Sequence, residues 1–103
     1  MEINFKNKKI VSQKISDTEN AWRIEDAFFV LEYLKNKNKI VLGGDILTKN
    51  LEHNYDSWYY NVKLNKNYNI NVECSIKLAF EYISKYIQTN GNTFYVVFVI
   101  KWH

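Results

Sequence analysis

The chain has 103 residues, of which 47% are hydrophobic and 17% aromatic, with a formal charge of +3 and a single cysteine. That length suits one domain over 1–103, and so apolar a composition excludes a disordered chain. A lone cysteine excludes a disulfide framework, no apolar run reaches the roughly 20 residues of a membrane span, and MEINFKNKKI lacks a leader's apolar block, so a cytoplasmic protein is expected.

Charge is unevenly spread along the chain. Residues 17–32 hold Asp17, Glu19, Glu25, Asp26 and Glu32 against Arg23 alone, a net −4, which leaves +7 elsewhere. The basic remainder contains no dense lysine run, so nucleic acid is not an expected partner. The acidic stretch reads either as a solvated helix face or as a docking patch for a basic partner.

Residues 1–20 alternate loosely and suggest an N-terminal arm or edge strand. From Trp22 the period becomes helical, with Ile24, Ala27, Phe28, Leu31 and Leu34 on one face. Asp17, Thr18 and Asn20 are candidate N-caps, and Glu25 and Asp26 suit the positive end of the helix dipole. IVLGGDILT, residues 40–48, reads as a strand whose glycine pair marks a bulge, a bend or the close approach of another backbone. A short turn then leads into the aromatic strand YDSWYYNV, which predicts an antiparallel hairpin.

KLNKNYNIN reads as a polar loop. A second helix follows from about Val72, with Val72, Ile76, Ala79, Phe80, Ile83 and Ile87 as its apolar stripe and Gly91 as its stop. In the closing strand Phe94, Val96, Phe98, Ile100 and Trp102 point one way and Tyr95, Val97 and Val99 the other. Apolar residues on both faces place that strand centrally. The order predicts an α+β fold: a small antiparallel sheet of three to four strands with two helices packed on one face. The other face would be partly open and rich in tyrosine and tryptophan.

Asp45, His53 and Asp56 are close in sequence, and a closed hairpin would let the two carboxylates approach each other. Such pairs bind cations or divide acid and base roles. This defines an alternative reading, a small enzyme or metal- or ligand-binding domain using Asp45 and Asp56. Hairpins also carry aspartates for ordinary turn chemistry. The glycine pair is no phosphate loop, because neither GxxxxGK[ST] nor GxGxxG is present. Cys74 has no histidine near it in sequence and reads as a small apolar filler; His103 ends the chain. No catalytic residue, metal or cofactor is expected. Trp58, Tyr59 and Tyr60 are adjacent on one strand, so they cannot all face the core. Exposed tyrosine and tryptophan are frequent interface anchors.

Taken in order over residues 22–100, AWRIEDAFFVLEYL, IVLGGDIL, YDSWYYN, SIKLAFEYISKYI and FYVVFVI resemble the immunity protein 40 family of bacterial polymorphic toxin systems. The resemblance implies an antitoxin that binds a cognate toxin domain and blocks it, without catalysis of its own. Carried over by position, the motif residues are Gly43, Gly44, Asp45, Tyr55, Asp56, Trp58 and Tyr59. Together with Glu25 and Asp26 at the acidic helix start, Asp45, Tyr55, Asp56, Trp58 and Tyr59 are the expected partner-binding residues. The expected state is a monomer or weak homodimer, with neither nucleic acid nor membrane as a partner.

Overall fold

The structure is a computed structural model that describes residues 1–101; Trp102 and His103 lie outside the described residues. An N-terminal hairpin of β1 (Glu2–Phe5) and β2 (Lys8–Val11) leads through β3 (Gln13–Lys14) into β4 (Asn20–Arg23). A 3-10 turn (Ile24–Asp26) and α1 (Ala27–Asn36) follow, then β5 (Ile40–Leu47), β6 (His53–Tyr59), α2 (Tyr68–Asn90) and β7 (Tyr95–Lys101). The main sheet is antiparallel with strand order β3–β4–β7–β5–β6.

The sheet therefore has five strands rather than three or four, and the hairpin adds a separate pair. The additional strands are two to four residues long, too short to carry a readable alternation. Trp22, expected to open the first helix, lies instead on β4 opposite Val96. Its apolar spacing with Ile24 and Ala27 misleads because strand, turn and helix all bury into one core. Asp17, Thr18 and Asn20 consequently cap nothing. The helix is entered through the 3-10 turn, with no side-chain cap at Asp26.

The second helix starts four residues before Val72, inside the segment read as a loop. Asn67 caps it by accepting from Ile70 N at 2.8 Å. Asn71 then ties the preceding loop down. It is 2% exposed; its amide donates to the carbonyls of Lys63 and Asn67, and its oxygen accepts from Lys63 N and from the Tyr60 hydroxyl, the latter at 2.7 Å. The helix stops as expected, with Gly91 at φ +89° and its N–H on Ile87 O.

Both helices share a core with the sheet. Ile24, Ala27, Leu31 and Leu34 from the first stretch meet Val72, Ile76, Ala79 and Ile83 of α2 over Trp22, Ile46, Trp58 and Val96. Phe80, assigned to the α2 stripe, is 48% exposed and packs its ring on Phe28 at 4.6 Å. β7 is central, as its two apolar faces predict. Val96 faces the helices, and Val97 joins Ala21 and Leu47 in a smaller cluster on the opposite side. The N-terminal hairpin is docked rather than a loose arm: Ile3 and Ile10 enter the main core and Phe5 packs edge-on against Phe29 and Tyr33.

Candidate partner-binding site

The site grows from the two glycines. β5 carries a bulge between Val41 and Gly43 where it pairs with β7. Gly43 sits at φ +153°, and a β-carbon there would lie 2.3 Å from the Trp58 carbonyl oxygen. At Gly44 a β-carbon would lie 2.4 Å from the Trp58 ring and 2.7 Å from the Val97 carbonyl oxygen. Neither position has room for any other residue. The pair does bend the strand, and it also makes the seat for one indole.

Trp58 fills that seat and is 5% exposed. Its ring stacks on Tyr82 at 4.9 Å and meets the edge of Phe98 at 6.0 Å. Its indole N–H is buried with no partner among the described residues. That costs on the order of 1–3 kcal/mol, which ring stacking and apolar burial must offset. Trp58, expected at a partner surface, is thus a core residue.

Strand parity then sets its neighbours. Side chains alternate, so Gly44, Ile46 and Trp58 face the helices, whereas Asp45, Ser57 and Tyr59 face the open side. Cross-strand pairs fix the rows of that open face: Ala21, Val97, Asp45 and Ser57 in one, Val99, Gly43 and Tyr59 in the next. Tyr59 is 78% exposed and Val99 47%. Tyr55 lies where the β5–β6 register shifts; it has φ +58° and is 95% exposed. A non-glycine residue held in that region is uncommon and stores local strain.

Asp45 and Asp56 do not come together. Asp45 pairs with Ser57 on the open face, and Asp56, opposite Ile46, turns to the helix side. There it accepts from the Tyr86 hydroxyl at 2.8 Å and from Asn54 Nδ2 at 3.3 Å. Burial, and then the hydrogen bond to Asp56, push the Tyr86 hydroxyl up to about 12, and burial followed by the Asp56 charge also raises Tyr82. Asn54, Tyr82 and Tyr86 were not singled out from sequence. The spacing of four between the two tyrosines, which places them on one α2 face, was the available signal. Among the described residues no group of three or more His, Cys, Asp and Glu side chains could hold a metal ion.

The acidic stretch 17–32 does not form one helix face. It runs through the β3–β4 turn, β4, the 3-10 turn and α1. Several of its charges are met internally: Glu32 by Lys6, Asp17 by Lys14 at 4.0 Å and Glu25 by Arg23. Glu25 is exposed and Asp26 half-buried at the start of α1. Arg23, Tyr95, Leu47 and His53 form a single row across the sheet. Glu25 therefore lies at the same end of the sheet as Tyr55 and Asp56, separated from them by the width of β7 and β5.

A family model described as Immunity protein 40 matches residues 8–100. The match begins at β2, earlier than the motifs read from sequence, and so takes in the short strands. No curated protein and no solved structure matches.

Proposed function

The chain belongs to the immunity protein 40 family, and from that membership we propose that it is an antitoxin that binds and neutralises a cognate polymorphic toxin domain. It acts by occupation, without chemistry of its own, in the cytoplasm and as a monomer or weak homodimer. Family membership over residues 8–100 is the observation that carries this reading. The contact surface we assign is the open face around Tyr59, with Asp45 on it, Tyr55 at its edge and Glu25 and Asp26 at the same end of the sheet; Asp56, turned to the helix side and held by Tyr86, is outside it. Tyrosines there bring large contact area at low entropy cost. The carboxylates would steer a basic toxin into place. Trp58 supports this surface from beneath rather than touching the partner.

The test is a pull-down from the native cell with the chain tagged at its C-terminus and the partner identified by mass spectrometry. The expected partner is stoichiometric, carries a domain that kills cells when expressed alone, and is silenced by co-expression of this chain. A stoichiometric partner that is neither toxic nor inhibited would sink the reading.

A further inference from the structure

Where the β5–β6 register shifts, β6 carries two extra residues. Ile46 pairs with Asp56 and Leu47 with His53, so Asn54 and Tyr55 have no partner across the ladder. A bulge bends its strand and re-aims a side chain. Here the side chain is that of Tyr55, held at φ +58° and 95% exposed, so that almost nothing in the chain touches its ring.

The residues on either side of Tyr55 are tied to α2. The Tyr86 hydroxyl donates to Asp56 Oδ2 at 2.8 Å, and Asn54 Nδ2 donates both to the Tyr86 oxygen and to Asp56 Oδ2. Tyr86 cannot follow a moving loop. It is 8% exposed, its ring meets the edge of Phe94 at 5.3 Å and it lies 6.1 Å from the Tyr82 ring. With both neighbours fixed, the backbone of Tyr55 is fixed too. The left-handed region is costly for a residue with a β-carbon, and glycine would occupy it without that strain. A bulge needed only for folding has no use for a solvated tyrosine ring at this position. Strain that the surroundings over-determine is typical of a residue displayed for a task.

We propose that Tyr55 is an anchor that inserts into a pocket of the toxin partner, and that Tyr86, Asn54 and Asp56 are positioning residues that hold it ready, an inference that rests on the immunity reading above. A ring that stands clear of its own chain on both faces is buried only by a concave surface, because a flat one covers a single side. The pocket must therefore take a phenol ring and offer a polar group to its hydroxyl, since a buried hydroxyl left unpaired is costly. Fixing the loop in advance lowers the entropy lost on insertion. Asp56 thus contributes to binding without touching the partner.

A set of variants titrated against the co-purified toxin domain tests the proposal, with melting curves alongside. Tyr55→Gly and Tyr55→Asn both suit a positive φ. Each should melt no earlier than the parent chain yet bind about 30-fold more weakly or worse. Tyr55→Phe keeps the ring and should stay within roughly fivefold of the parent. Tyr86→Phe should weaken binding roughly fivefold by loosening the loop. That loss should vanish when Tyr86→Phe is placed on the Tyr55→Gly background, because Tyr86 acts only through Tyr55. A Tyr86→Phe loss that persists there would overturn the positioning role. Toxin binding unchanged in Tyr55→Gly and Tyr55→Asn would overturn the anchor and leave the immunity reading standing. A dimer of the free chain that Tyr55→Gly dissolves would overturn it in favour of a second copy as the ring's partner. A chain that captures no toxic partner would remove both readings together.

Discussion

The two faces of the β5–β6 hairpin are built from alternating residues of the same short segments, and they do different work. On the helix face Gly44, Trp58, Tyr82 and Phe98 interlock so closely that no β-carbon fits beneath the indole. On the open face Tyr59 is 78% exposed and Asp45 is half-buried between Val97 and Ser57, and at the register shift Tyr55 is 95% exposed. One motif thus serves two ends. Its glycines and tryptophan hold the hairpin in shape, and its tyrosines and Asp45 are what that shape displays. Stability and partner binding should therefore separate by parity along β6.

Substitutions can break or sharpen that contrast. The largest effect is expected at Trp58→Ala, which should cost about 3–5 kcal/mol in denaturant unfolding and abolish binding only by unfolding the hairpin. Trp58→Phe should cost much less, because it keeps an aromatic ring and removes the buried indole N–H. Equal losses from the two would show that packing against Tyr82 is not what holds the residue. Gly44→Ala comes next, at about 1–3 kcal/mol, since its added carbon meets backbone as well as the ring. An unchanged melting curve for this variant would mean that the seat is looser than described.

Tyr86→Phe sharpens the contrast through pH. The Tyr86 hydroxyl is raised from 10 to about 12 in the folded chain. The native state therefore keeps a proton that the unfolded chain releases, and stability should fall between pH 10 and about 12. Removing the hydroxyl should flatten that part of the stability profile, with little effect at neutral pH beyond the loss of one hydrogen bond of about 1 kcal/mol. A profile that keeps its slope in the variant would assign the alkaline transition to another group.

The smallest stability effect is expected at Tyr59→Ala, within about 0.5 kcal/mol. Affinity for the captured toxin should nonetheless fall by roughly 2 kcal/mol or more, as for an interface anchor. If affinity is unchanged while the fold is intact, the open face around Tyr59 is not the contact surface.

Local pattern was legible wherever an element was long enough to repeat. The eight residues of β5, the hairpin to β6, the buried stripe of α2 and the two-faced β7 all follow from periods of two or 3.6 in the chain. The order of the motifs also resembled the family. The β1–β4 region was not legible, because strands of two to four residues complete too few repeats to show a phase. Trp22 illustrates the difficulty. Its spacing to Ile24 and Ala27 is compatible with a helix, and only pairing with Val96 makes it a strand residue.

By itself, then, the sequence determined that the three aromatics at 58–60 cannot share a side, that the glycine pair interrupts a strand, and that the last strand is covered on both faces. These are consequences of backbone geometry and hold whatever lies nearby. Only the tertiary structure decided that Trp58 is the buried one and Tyr59 the exposed one. It also separated Asp45 from Asp56. Parity along a strand says which residues go together. Which side becomes the inside depends on α2 and β7 arriving from far along the chain, and no local pattern encodes that.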